Sequence, residues 1–270
     1  MTEDKLIVIT SFPEEGVIHG KTVVGIASYA KNTLLALKKN KPEVKITVLA
    51  EILENKKETY KDNGIEVKRV WKRNSFTTFF LLFKNLLALK TSKNILIEFE
   101  VAMFGEFIFL LPFPLFLFLL KIMGKNITIV SHQVISDIDT LSGHINLHSK
   151  LESKLLNFFI HFFYRIILIL SSRIIVFDDI LKDKLAAFGN KNKIVVIPHG
   201  VEKFKNDITK EEARKKLNLG NDDFILLYFG YLAWYKGTDV LIQYYSELKN
   251  KRDIKLIIAG GPNPNHTGKK

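Results

Sequence analysis

Short apolar runs rich in β-branched residues recur along the chain. They are Lys5–Thr10 (KLIVIT), Val44–Ala50, Ile65–Val70, Asn94–Phe99, Asn126–Ser131, Arg173–Phe177 and Lys193–Ile197. Most are apolar on both faces, as strands inside a helix-covered parallel sheet are. The gaps between them carry helical spacing: Thr22–Lys39, Thr77–Lys90, Glu106–Met123, Lys150–Leu170 and Ile180–Phe188. This alternation predicts an α/β fold with right-handed crossovers. No fixed-period repeat interrupts it.

The pattern breaks near Pro198–Asp207, where IPHGVEKFKND turns polar after a strand. A charged helix over Ile208–Leu219 follows, and then a new strand–helix–strand unit that starts at Phe224. The expected division is residues 1–199, a linker with a connecting helix over 200–222, and residues 223–270. The last stretch is short for an α/β domain with a core of its own. The expectation is therefore an incomplete second domain, in a chain that is truncated or is one half of a split protein.

Composition changes this picture in two ways. The chain of 270 residues has no cysteine, which excludes disulfides, thiol nucleophiles and cysteine metal sites and fits a reducing cytoplasm. Its start, MTEDKLIVIT, lacks the basic and long apolar regions of a secretory signal. The formal charge is +12, from dispersed lysines rather than runs. Three stretches are unusually apolar: Phe76–Leu89, Phe107–Leu120 and Leu155–Leu170. The second is short for a membrane span and carries Pro112 and Pro114, which would break a helix there. The third contains Asn157, His161 and Arg165, which are costly in hydrocarbon. Core or interfacial helices are expected rather than transmembrane ones. With the basic balance they suggest contact with an anionic membrane surface and not with nucleic acid.

Candidate chemistry is densest near the end. The strand Phe224–Phe229 ends in Gly230, Lys236–Gly237 leads into a helix, and the strand Ile254–Ala259 ends in Gly260–Gly261. Glycines let backbone N–H groups approach a ligand, while a helix N-terminus and a lysine oppose its negative charge. The combination suits a phosphate-bearing ligand. Other chemistries fit poorly: there is no G-x-x-x-x-G-K-[ST] loop, no G-x-S-x-G and no tight G-x-G-x-x-G after a strand. His144 and His148 are spaced for a helical metal pair, but no glutamate of the zinc-protease type lies between them, and Gly143 and Asn146 argue against a helix.

At these residues the chain resembles a known family. GYLAWYKGTDVLI followed by LIIAGGPNP is similar to the start of the nucleotide-sugar domain of glycosyltransferase family 4, which has the GT-B fold. Earlier segments agree in order: GIASYAKNTLLAL resembles the first long helix, TIVSHQ a strand ending in an inward-facing histidine, and RIIVFDD through KIVVIPHGVEKF the hinge region. The resemblance implies two Rossmann-like domains, the first binding the acceptor. It also implies transfer of a sugar from a nucleotide-diphosphate donor to a saccharide or lipid-linked acceptor, with retention and without a bound metal. Synthesis of cell-surface polysaccharide or glycolipid at the cytoplasmic membrane face would follow.

The resemblance also assigns roles. Lys236 and Gly237, with Gly230, Gly260 and Gly261, would hold the donor diphosphate. Gly16 and Gly20, in the loop after the first strand, would face donor and acceptor, with His19 beside them. His132 would point into the cleft and hydrogen-bond a hydroxyl of the reacting sugar. Asp137 and Asp139 follow as solvated loop carboxylates that could reach an acceptor hydroxyl. Two departures stand out: Tyr231 occupies the place of an arginine, so one of two expected cations is missing, and the family's donor-site glutamate pair has no counterpart before Lys270. The alternative is a non-catalytic chain that needs a separately encoded C-terminal half.

Overall fold

The computed structural model describes residues 5–17, 25–89, 92–138, 149–201, 208–232, 236–248 and 254–261. Two compact units follow one another, Met1–Gly200 and Val201–Lys270.

The first unit is built on strands β1 (Lys5–Thr10), β2 (Lys45–Glu51), β3 (Thr59–Asp62), β4 (Ile65–Trp71), β5 (Asn94–Phe99), β6 (Asn126–Ser131), β7 (Arg173–Val176) and β8 (Ile194–Val196). They form an eight-stranded sheet in the order β3-β4-β2-β1-β5-β6-β7-β8. All neighbours are parallel except β3 and β4, an antiparallel hairpin at the edge. The chain steps outward from β1 to β2 and then returns to place β5 on the other side of β1. That reversal is a topological switch point, where open α/β sheets leave a crevice at the strands' carboxyl ends.

Helices α1 (Gly25–Asn40), α2 (Thr78–Ala88), α3 (Phe113–Ile122), α4 (Lys150–Leu170) and α5 (Asp179–Ala186) cover the sheet. Side chains alternate across the strands and feed two cores. Val8, Val48 and Val67 pack with Ala30 and Leu34 of α1. Ile7, Ile9, Ile97 and Ile129 pack with α2, α3 and α4 through Leu82, Leu86, Leu117, Leu120, Phe163 and Ile167.

Three expectations need correction. The strand β3 is not among the predicted strands, because its sequence TYKD is largely polar. Only Tyr60 and Asp62 face inward, and Asp62 is buried with a partner. The single helix over Glu106–Met123 is instead a 3-10 turn at Phe107–Leu110 followed by α3. Pro112 caps α3 and Pro114 lies in its first turn, where a missing N–H costs nothing. In the same way the charged helix of the linker shrinks to α6 (Lys210–Lys216), opened by a capping box between Thr209 and Glu212.

In the second unit β9 (Phe224–Phe229) and β10 (Ile254–Ala259) form a parallel pair, joined through α7 (Thr238–Glu247). Among its described residues no hydrophobic side chain is buried, and Leu227 and Phe229 are 62% and 85% exposed.

Candidate functional site

In the first unit, functional side chains gather at the carboxyl edge of the sheet. The loop after β1 leaves at Ser11 and is held from several sides. Gly16 takes a left-handed φ of 75° and donates its N–H to Asp62 at 3.2 Å. Asp62 pairs with Lys31 of α1 at 2.5 Å, both almost fully buried, and Lys31 also donates to the Val17 carbonyl at 2.7 Å. From β4, Arg69 donates to the Pro13 carbonyl at 2.9 Å and to the Glu51 carbonyl at 2.8 Å. The Tyr60 hydroxyl donates to the same Pro13 carbonyl. Burial pushes that hydroxyl up to about 12, with Arg69 the largest opposing influence. A cleft of about 370 Å³ opens beside the loop, lined in part by Ser11, Phe12, Val17, Glu51, Lys56 and Arg73. Another, of about 490 Å³, lies at the opposite edge among Lys5, Lys38, Lys45 and Lys61. Position at the carboxyl ends makes the first the candidate.

His132 follows β6 directly, and its backbone N–H donates to the Phe99 carbonyl of β5 at 2.9 Å. Its Nε2–H donates to the Glu98 carboxylate at 2.7 Å, with side-chain exposures of 11% for His132 and 1% for Glu98. An ionised Glu98 can only accept, so a neutral His132 beside it carries its proton on Nε2 and leaves Nδ1 as an acceptor for a ligand hydroxyl. Burial raises the Glu98 pKa, while the hydrogen bond from His132, and the charge its ring carries when protonated, pull it back. Aromatic rings complete the cluster. Tyr29 of α1 meets His132 edge-on at 5.0 Å and His199 at 5.1 Å, and Phe177, after β7, stacks on His199 at 3.6 Å. Burial, and then the nearby His132, lower the His199 pKa.

Sequence reasoning places His132 but misses Glu98, Tyr29, Phe177 and His199. The available signal is a carboxylate inside the apolar run ILIEF, whose neighbour strand ends in a histidine. Asp137 is not simply solvated, because its carboxylate accepts from Asn157 of α4 at 2.9 Å. His19, Gly20, Asp139, His144 and His148 lie outside the described residues. Among the described residues no cluster of three or more His, Asp or Glu could hold a metal.

In the second unit the glycines lie at the strand ends. Phe229 is in register with Ala259, the Gly230 N–H donates to the Ala259 carbonyl at 3.0 Å, and the Leu232 N–H donates to the Gly261 carbonyl at 2.8 Å. Gly230 has a φ of 146°. A Cβ on Gly260 would sit 1.7 Å from the Gly230 carbonyl oxygen, so only glycine fits there. Gly237 caps α7 in the left-handed region and follows Lys236, which is exposed. The structure thus brings Gly230, Gly260 and Gly261 together and puts Lys236 and Gly237 at the start of α7. Tyr231 is half exposed, and its carbonyl accepts from the Tyr228 hydroxyl at 2.9 Å.

Residues 209–270 match the family described as Glycosyl transferases group 1. A lipopolysaccharide 1,2-N-acetylglucosaminetransferase of Salmonella typhimurium is 31% identical over 80 residues, which cover 28% of this chain and 21% of that protein. An uncharacterized glycosyltransferase of Methanocaldococcus jannaschii is 27% identical over 97 residues, covering 33% of this chain and 25% of that protein. Among solved structures, sucrose-phosphate synthase from Thermosynechococcus elongatus is similar at a TM-score of 0.63 and 15% identity, over 98% of this chain and 64% of that one. HepE of Anabaena, in complex with UDP-glucose, is similar at a TM-score of 0.53 and 13% identity, over 96% of this chain and 61% of that one. The chain therefore spans under two-thirds of the length of these proteins. At such identities the structural likeness carries the fold alone. The chain has the α/β fold of GT-B glycosyltransferases, and its second unit matches the group 1 glycosyltransferase family over residues 209–270.

Proposed function

We propose that this chain is a retaining glycosyltransferase of the family 4 kind. It moves a sugar from a nucleotide-diphosphate donor to a saccharide or lipid-linked acceptor, in cell-surface polysaccharide or glycolipid synthesis at the cytoplasmic face of the membrane. The observation that carries the reading is the glycine-ended pair β9–β10 with Lys236–Gly237 at the start of α7, inside the stretch matched to the group 1 family.

Bond breaking at the sugar's anomeric carbon leaves its electron pair on the donor phosphate. Lys236 and the backbone N–H groups at Gly237, Gly260 and Gly261 take up that developing charge, while Gly230, whose N–H is held by Ala259, keeps the approach to them open. This reading needs no metal. In the first unit, His132 accepts a sugar hydroxyl at Nδ1, with Glu98 fixing its tautomer. The loop carrying Gly16 borders the acceptor cleft.

The test is calorimetry and radiolabelled transfer with a panel of nucleotide-diphospho-sugars, beginning with UDP-glucose and UDP-N-acetylglucosamine. Binding is expected for at least one donor, and Lys236→Ala is expected to weaken turnover roughly a hundredfold to a thousandfold. A chain that binds no donor in the panel overturns the reading. The exposed apolar side chains of β9 and β10 favour one variation, in which a separate polypeptide covers them and completes the donor site. Donor binding without transfer, with transfer restored by an added C-terminal half, would identify that case.

A further inference from the structure

Helix α4 is apolar on two opposite faces. Ile160, Phe163, Tyr164 and Ile167 face the core and are buried. Half a turn round the helix, Leu151, Leu155, Phe158, Phe162 and Ile169 form an outward stripe that is 55–77% exposed. Phe158 and Phe162 stack in parallel along that stripe, with centroids 6.5 Å apart. The neighbouring helices repeat the pattern. α3 packs against both α4 and α2. It buries Phe113, Phe116 and Leu117 but exposes Leu115, Phe118 and Ile122, while α2 exposes Phe80 and Leu87. Contiguous apolar surface on this scale marks an interaction site.

Charge identifies what covers it. Glu152 is the sole carboxylate in α2, α3 and α4, whereas Lys84, Lys121, Lys150, Lys154 and Arg165 are exposed on them. On α4, Lys154 and Arg165 flank the apolar stripe on one side. A second copy of the chain would bring this cationic fringe against itself, which is repulsive. An anionic lipid surface satisfies both the apolar stripe and its fringe. α4 is long and apolar enough to cross a membrane, but spanning would strip its other face from the core of the first unit.

The geometry points to a docking face made of α2, α3 and α4 that seats the first unit on an anionic bilayer, with the α4 stripe entering the headgroup boundary. The inference rests on the proposed transferase reading, for which it supplies the surface on which a lipid-linked acceptor is met.

The experiment is flotation of the purified full chain with phosphatidylglycerol-containing vesicles and with pure phosphatidylcholine vesicles, beside donor calorimetry on the same preparations. The chain is expected to float with the anionic vesicles and much less with the neutral ones. Leu155→Ser/Phe158→Ser/Phe162→Ser is expected to lower the bound fraction roughly tenfold or more. Lys154→Glu/Arg165→Glu, which leaves the apolar stripe intact, is expected to weaken anionic binding selectively. Near-ultraviolet circular dichroism should show both variants folded. Failure to float on anionic vesicles overturns the docking face, as does flotation that both variants leave unchanged. A dimer that the triple substitution turns into a monomer also overturns it, with a second copy as the occupant. A chain that binds a donor but does not float loses the docking face alone, while one that floats but binds no donor loses the transferase reading.

Discussion

At the scale of single residues, the pairing of Glu98 with His132 fixes which nitrogen of the imidazole meets a ligand. A hydrogen bond to a charged group is worth about 1.5–3 kcal/mol, or roughly tenfold to a hundredfold in rate. Glu98→Gln keeps the shape but loses the charge that selects the tautomer. It is expected to lower transfer by that factor with little change in donor affinity, which steady-state kinetics beside calorimetry would check. His199 makes a separate, pH-dependent contribution. Its folded pKa lies below the ordinary 6.5, so the unfolded chain takes up the proton first. The stability it contributes is present above that value and is lost as pH falls through the folded pKa. His199→Gln should flatten the loss of stability on acidification below about pH 6.5, seen as a smaller drop in urea midpoint than in the wild type. Gly260 is constrained by contact rather than by charge. Gly260→Ala forces a methyl into the Gly230 carbonyl and should abolish donor binding, while the thermal transition of the first unit is unchanged.

At the scale of elements, the hairpin strand β3 shows what the sequence pattern conceals. Strands β1, β5 and β6 are legible end to end, because burial on both faces leaves a continuous apolar run, and β9 and β10 are legible from the same apolar run although their side chains are part-exposed. β3 sits at the sheet edge and presents only Tyr60 and Asp62 inward, so its alternation carries a carboxylate where a hydrophobic residue is expected. That carboxylate matters because it meets Lys31, 31 positions away in the chain: the helix α1 reads as amphipathic, and a lysine on its buried face is not legible without the partner. The same holds for Glu98, whose role depends on a neighbour strand. His132 is legible because it follows directly on a strand, and Gly16 because its loop follows the first strand. The Lys31–Asp62 pair ties α1 and β3 to the loop after β1, and breaking a buried pair leaves an uncompensated charge. Lys31→Met is expected to destabilise the first unit by about 3–5 kcal/mol, whereas Lys31→Met/Asp62→Leu recovers most of that loss. Chemical denaturation of the two variants checks the difference.

At the scale of the whole molecule, the two units differ in what holds them together. The first has buried side chains on both faces of an eight-stranded sheet. The second, among its described residues, has a two-stranded pair, the two short helices α6 and α7, and no buried hydrophobic side chain. Two strands are marginal without a covered face, since burial of apolar surface is the main term that offsets chain entropy. The chain should therefore not unfold in one step. Trp71 is fully buried in the first unit, so in a Trp234→Phe background its emission reports that core. Hydrogen exchange along β9 and β10 reports the second unit. With rising urea, amide protection in β9 and β10 is expected to vanish well before the Trp71 emission shifts. A nucleotide-sugar that binds the second unit should close part of this gap, because ligand at about a hundredfold its Kd adds about 2.7 kcal/mol to the state it binds. Coincident transitions without donor would mean that the second unit draws its stability from the first. A donor that moves the Trp71 transition but leaves β9–β10 exchange unchanged would place the binding energy in the first unit, and with it the residues that hold the phosphate.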